Sequence, residues 1–401
     1  MKIMKFLRKK LKNGMTVIME KRELPVVALS ISNPFGGAYE SSEIKGVAHV
    51  IEHMLFTGTK TRSHEDISRE IEKKGGILNA FTDHEVTSYW FKLPSEHIFS
   101  GMDILIDMLK DAKFDSEKFE KEKKVILEEI KIYHDDPRRS VFEQIEKNMF
   151  ESPFGELVIG NVKSVSSLQR DFVFELFKKN YNSSNFIVTI VGNADFDEVC
   201  EYLEKHFVSG KDTPKSLPIR IKNSETSEKR EGVEQANFVL AMHAPLPSSK
   251  DFYALDLLNS YLADGMSSKL FLEIREKRGL AYSVKGTIHP GRKYCIYSIY
   301  VGTTKESVPM VKKLILEEFD KIKDMGEKDL EEAKETLIGL KKISSEESAN
   351  VMNELLYSEL FVGAEQYYKY EENIKKVKLE QVKKLASELV KKYSIAAIVP
   401  K

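Results

Sequence analysis

The chain has 401 residues, more than one ordinary hydrophobic core can serve, and this predicts two domains of about 200 residues each. Its 62 basic and 63 acidic side chains leave a formal charge of −1, so no overall field draws it to nucleic acid or to an anionic membrane. Cys200 and Cys295 are the only cysteines, far apart and outside any C-x-x-C spacing, which argues against a disulfide framework and a thiolate metal site; both read as plain buried thiols.

The opening stretch, MKIMKFLRKKLKNGM, is basic but lacks the apolar core of a signal peptide, and no later stretch approaches the ~20 apolar residues of a membrane span. A soluble cytoplasmic protein is the expectation. Alternation over Thr16 to Met19 and Val26 to Ser32 predicts strands. Val47 to Thr57, VAHVIEHMLFT, is apolar almost all round and predicts a buried helix. It contains His-x-x-Glu-His. At 3.6 residues per turn His49 and His53 stack on one face, with Glu52 beside them. Two imidazoles and a carboxylate in such a helix are costly unless something binds them, and a shared zinc ion meets that cost. The pattern is an inverted form of a known zinc-hydrolase signature, with Glu52 placed as the base. The other seven histidines are isolated.

Further on, Gly75 to Trp90 reads as a hairpin opened by Gly75-Gly76. In the predicted helix Asp115 to His134, Phe119, Glu122, Ile126, Glu129 and Tyr133 form one stripe, whereas Lys121, Lys124, Glu128, Lys131 and Asp135 form a wholly charged one. Glu129 therefore turns inward and Glu128 outward. An inward carboxylate needs a partner or a metal, which favours Glu129 as third ligand and Glu122 as its supporting neighbour; with glutamate so plentiful, the pattern alone leaves other choices open.

The second half repeats the first. Val165 to Asn193 and Val377 to Lys401 both read as helix, Lys-Lys pair, tyrosine and short apolar strand; Tyr181 and Tyr393 lie 212 residues apart, and the strand starts Pro25 and Ala236 lie 211 apart. A near-constant offset implies duplication. The fold class is therefore α+β, two homologous domains, each an antiparallel-rich sheet packed with helices: a zinc-binding domain over residues 1–210, an exposed linker over 211–234 and a homologous domain over 235–401. Offsetting the metal helix by 211 lands on Ser260, Ala263 and Asp264, so the second half has no metal site. In REKRGLAY, Arg275 ends a helix closed by Gly279 and Tyr282 begins the next strand, a pattern that equally suits a surface arginine and a core tyrosine.

Over nearly its whole length the chain resembles the pitrilysin family of zinc peptidases, in FGGAYE, HVIEHMLFTGT, GGILNAFTDHEVTSYW, EKKVILEEI and LFLEIREKRGLAYSV. The resemblance implies a processing-peptidase-like metallohydrolase fold and a zinc-dependent endopeptidase acting on peptides or unfolded segments. It implies Glu129, 76 residues past His53, as third ligand and Glu122, seven earlier, as a functional neighbour. It also implies roles for Arg275 and Tyr282 of the ligand-free half at the reacting carbonyl and substrate backbone. Asn79, Ala80, Phe81 and Thr82 would form an edge strand that binds extended peptide. A clamshell homodimer is the implied assembly, with no nucleic acid or membrane partner. The rival readings are a non-catalytic structural subunit of the same fold, which the complete motif disfavours, and a zinc that only holds the fold, which a three-ligand open site disfavours.

Overall fold

The structure is a computed structural model describing residues 5–210 and 213–401. Residues 1–4 of the expected first domain and Lys211 and Asp212 of the expected linker lie outside them. The alternating segments form β1 (Lys5–Lys10), β2 (Thr16–Lys21), β3 (Val26–Asn33), β4 (Ile77–Thr82), β5 (Thr87–Pro94) and β6 (Ile187–Gly192), in the sheet order β1-β2-β6-β3-β5-β4. Only β2 and β6 run parallel. The second sheet is built from β7 (Glu225–Arg230), β8 (Ala236–His243), β9 (Ala281–Pro290), β10 (Cys295–Thr303) and β11 (Ser394–Pro400), in the order β7-β11-β8-β10-β9, with β7 and β11 parallel. With β1 set aside, the two sheets match strand for strand. That is the duplication expected from the constant offset.

β7 corrects the expected linker. The sequence ETSEKR has no apolar residue, so nothing in its pattern marks a strand; it is an edge strand whose main chain pairs with β11 on one side and whose Glu228 and Arg230 side chains bond to Gln144 and Ser140.

In the first sheet Val27, Leu29 and Ile31 of β3 and Tyr89, Phe91 and Leu93 of β5 bury one face against the helices α1 (Val47–Phe56), α2 (His64–Glu72), α3 (Ile98–Asp111) and α4 (Ser116–Asp135). The other face is buried too, at Ala28, Ser30 and Ser32. Its cover comes from far along the chain, the helix Ser348–Phe361, which buries Val351, Met352, Leu355 and Leu356. Residues around it are tied across that face: Arg8 to Glu359 at 2.6 Å, Arg22 to the Ser345 carbonyl at 2.8 Å and Lys92 to Glu347 at 2.8 Å. The second sheet has the reciprocal arrangement. Its cover is α5 (Pro137–Met149), where Asn148 donates to the Ile395 carbonyl at 2.7 Å and Phe142 stacks on Tyr300.

The compact units are accordingly discontinuous. One takes the residues up to Lys131 with Leu157–Pro218 and Ser344–Leu360; the other takes Ile132–Glu156, Ile219–Ile343 and Phe361–Lys401. α5 and Ser348–Phe361 begin 211 residues apart, so they are the same helix of the repeat, and each half lends its copy to the other half's sheet. Helical periodicity states that such a helix has an apolar face but not which sheet receives it.

Candidate metal centre

The metal helix is set at its N-terminus by a buried carboxylate. Gly46 precedes α1 at φ +95, and a Cβ there would stand 2.6 Å from the Ile159 carbonyl oxygen, so only glycine fits. Glu40, fully buried, accepts hydrogen bonds from the Gly46 N–H at 3.0 Å and the Ala48 N–H at 2.7 Å, satisfying amides that the first helical turn leaves unpaired. Burial pushes its carboxyl up, opposed by Lys45, whose Nζ lies 3.9 Å away and donates to the Gly37 carbonyl.

His49 and His53 then face α4. Nε2 of His49 and Nε2 of His53 each lie 3.7 Å from the same oxygen of Glu129, and one donor atom from each of the three residues falls within 4.8 Å of the others. In a tetrahedral zinc site with bonds near 2.1 Å, neighbouring ligand atoms stand roughly 3.4 Å apart, so the three donors are already spaced for one ion. The inward stripe of α4 is as expected: Glu129 is partly covered while Glu128 is exposed and paired with Lys131.

Electrostatics agree with a cation site. Burial, then the neighbouring His53, lower His49 to about 4 against the pull of Glu129, so it is the neutral imidazole that a metal requires. Its buried Nδ1 finds no hydrogen-bond partner. Burial also lowers His53, but Glu122, Glu129 and the charge of Glu52 outweigh it and raise the ring to about 9. Glu122 Oε2 sits 3.1 Å from His53 Nδ1, which orients the ring and leaves Nε2 toward Glu129. Without a metal the charged His53 ring thus stands between two carboxylates, and a cation would take the place of the proton on its Nε2. The residues present fit zinc.

Glu52 turns toward β4, where the Thr82 hydroxyl donates a hydrogen bond to its Oε2. Burial raises its carboxyl, while Thr82 and His53 oppose the rise. Behind it the hydroxyls of Tyr89 and Tyr181 lie 3.1 Å apart, both buried and both pushed up by that burial. In β4 itself Leu78 and Ala80 pack toward the core on the α1 side, while Ile77 is 56% exposed. The Ala80 N–H on this edge strand is capped by the side chain of Asn79 at 2.8 Å. Phe81, on the opposite face, stacks on Tyr357 with ring centres 6.3 Å apart, and Tyr357 donates to Asp83 just past the strand end.

Arg275 and Tyr282 stand together in the second unit. Arg275 lies in a π-helical turn, Phe271–Glu276, closed by Gly279 at φ +61; its guanidinium stacks over Phe271 at 4.8 Å and Tyr282 at 5.3 Å. Lys277 and Arg278 both bind Glu273, while Arg275 Nε lies 3.8 Å from Oε1 of its neighbour Glu276. Tyr282 is 77% exposed. Three contributors escape a reading of the sequence: Glu40 as helix cap, the Thr82 side chain, and Tyr357. Glu40 lies within FGGAYE and so was within reach of a capping argument; nothing local signals Tyr357.

A two-sheet α+β frame with an open His-His-Glu donor set and an adjacent glutamate is compatible with a metal-hydrolase site. Residues 16–161 match the family described as Insulinase (Peptidase family M16), and residues 167–337 match the Peptidase M16 inactive domain. An "Uncharacterized zinc protease" of Rickettsia felis is 32% identical over 334 residues, covering 82% of this chain and 81% of its own. The "Uncharacterized zinc protease YmxG" of Bacillus subtilis is 31% identical over 396 residues, 97% of each chain. Among solved structures, a protease from Helicobacter pylori superposes with TM-score 0.93 at 19% identity, covering 99% of this chain and 100% of that one. A chain of complex III2 from Candida albicans also superposes, with TM-score 0.86 at 18% identity over 98% of this chain and 95% of that one. The chain belongs to the M16 peptidase family, that of insulinase and pitrilysin.

Proposed function

We propose that this protein is a zinc-dependent endopeptidase that hydrolyses peptides or unfolded polypeptide segments, with Glu52 as general base. The observation that carries the reading is the convergence of His49 Nε2, His53 Nε2 and Glu129 Oε2, with Glu52 between the two histidines on the same helical turn. The fold by itself does not decide activity. Bound there, zinc would supply Lewis acidity toward both a water molecule and a peptide carbonyl. Glu52 takes a proton from the attacking water and returns it to the leaving amine. Glu122 keeps the His53 ring in register.

Substrate lies extended along β4, pairing with its free edge at Asn79, Ala80, Phe81 and Thr82; the Asn79 side chain must leave the Ala80 N–H for that pairing. Tyr282 donates to the developing oxyanion and Arg275 holds substrate backbone. Support for an outward-facing role comes from the exposure of Tyr282 itself, apolar surface that a partner or substrate would cover. In this reading two chains pair as a clamshell homodimer, and the protein works in the cytoplasm; among the described residues no helix is long and apolar enough to cross a membrane.

The test is Glu52→Gln on a quenched peptide library, with cleavage products read by mass spectrometry and zinc measured in the same samples. Full zinc with a fall in kcat of about 10³-fold or more is expected, the scale on which loss of a general base acts. Unchanged cleavage by the zinc-loaded variant would overturn the reading.

A further inference from the structure

We infer that Thr82, through its hydroxyl, is a positioning residue for Glu52, and that β4 therefore aligns the base as well as the peptide. The inference rests on the reading of Glu52 as base.

Thr82 is the last residue of β4, the edge strand of the first sheet. Strand residues alternate in direction, and here they divide cleanly: Leu78 and Ala80 pack on the core that includes α1, Phe81 stacks on Tyr357 on the far face, and Thr82 returns to the α1 side. Its Oγ1 then donates to Glu52 Oε2, 30 residues earlier in the chain. A glutamate side chain has three rotatable bonds, and among the described residues His53 acts on Glu52 through charge and not through a hydrogen bond that would fix its orientation. The hydroxyl is the donor that selects one carboxylate orientation, engaging Oε2 and leaving Oε1 for proton transfer.

The donor is held in turn. Thr82 pairs with Thr87 of β5, whose hydroxyl is anchored on the Phe35 carbonyl at 2.8 Å. Just beyond, Asp83 uses its Oδ1 to bind the Glu85 and Val86 amides at 2.7 and 2.9 Å and accepts from Tyr357 with its other oxygen. Phe81 is braced by the same tyrosine ring. The end of β4 is thus fixed on both faces, and a hydroxyl fixed in this way costs nothing to organise at the moment of reaction. Because the strand that pairs with substrate also carries the donor, peptide register and base orientation share one rigid element.

The test compares Thr82→Val, which keeps the shape and removes the donor, with Thr82→Ser, which keeps the donor, alongside Glu52→Gln and the double variant Glu52→Gln/Thr82→Val. Zinc content, thermal midpoint, kcat and KM are measured for each. Expected for Thr82→Val are a full zinc complement, KM within about twofold of the parent and kcat down by about 10²-fold, the scale of a misplaced reacting group. Thr82→Ser should restore kcat to within about threefold, and the double variant should be no slower than Glu52→Gln alone. Thr82→Val with unchanged kcat, or with a loss confined to KM, overturns the inference, as does equal loss in the serine variant. If Glu52→Gln remains active the reading of the base itself fails; if only Thr82→Val remains active, the base stands and Thr82 does not position it.

Discussion

Each half of the molecule places charged side chains between the helix that follows its third sheet strand and the long helix after its hairpin partner, but the two halves neutralise that charge differently. In the first unit α1 and α4 bring together two histidines and Glu129, and the ring nitrogens and carboxylate oxygen point at a common centre. In the second unit the matching helices are Phe252–Leu262 and Glu327–Ser344. Here Asp256 accepts a hydrogen bond from Tyr370 and faces Lys341, whose ammonium lies over the rings of Tyr367 and Tyr370 at 4.0 and 5.3 Å. Lys341 supplies from within the chain a positive charge of the kind that, under the proposed function, zinc would bring to the first unit. Among the described residues the His49, His53 and Glu129 group is the one cluster spaced for a metal. The duplicated frame places a buried charge between these helices in both halves, and under the proposed function the source of the answering cation, a bound ion or Lys341, is what separates the two.

Breaking the first side of that comparison has the largest expected effect. Glu129→Gln keeps the volume and removes the anionic donor, so zinc affinity should fall by about 10²- to 10³-fold and peptide cleavage with it, while the thermal midpoint of the zinc-free protein changes little. Glu122→Gln should act in the same direction more weakly, by about 10- to 100-fold, since it only orients His53. Chelator competition followed by metal analysis reads both. Equal affinities for Glu129→Gln and the parent would show that the ion sits elsewhere.

A middle-sized effect is expected from pH. In the zinc-free protein His53 titrates at about 9 and His49 at about 4, so between those values the site carries one proton, on His53. Zinc must displace it. Apparent affinity should therefore rise about tenfold per pH unit across that window and level off above about 9, with close to one proton released per ion bound at pH 7. Calorimetry in buffers of different ionisation enthalpy measures the proton directly. Release of two protons at pH 7 would mean that His49 is also charged in the empty site, against the burial that lowers it.

How much of this was open to a reader of the sequence follows the range of the interactions involved. His49, Glu52 and His53 lie on one turn, so helical spacing alone joined them. Glu129 was legible as an inward position of an amphipathic helix, but its convergence on the histidines is tertiary and needed the family resemblance to select it from many glutamates. Thr82 was legible as a strand residue whose main chain could pair with peptide; the direction of its hydroxyl depends on how β4 packs beside α1. β7 carried no pattern at all, because its side chains meet α5 through hydrogen bonds at Thr226, Glu228 and Arg230, and a strand held that way needs no apolar alternation. The exchange of α5 and Ser348–Phe361 was invisible for a stricter reason: each copy has the same apolar face, and the sequence of either is consistent with either sheet.

The smallest expected effect sharpens the second side of the comparison. Burial raises the Asp256 carboxyl to about 7, against Tyr370 and Lys341, whereas an unfolded aspartate titrates near 4. The sign follows from linkage: the folded state holds the proton more tightly, so the stabilisation is complete below about pH 4 and is lost as pH rises through about 7. Asp256→Asn keeps an acceptor for the Tyr370 hydroxyl and removes the ionisation. Its thermal midpoint should match the parent near pH 4.5, exceed it by a few degrees at pH 8, and vary less with pH between them. If the variant is instead less stable than the parent at pH 8, the ionised Asp256 and Lys341 form a net stabilising pair, and the second unit answers its buried charge more fully than burial alone allows.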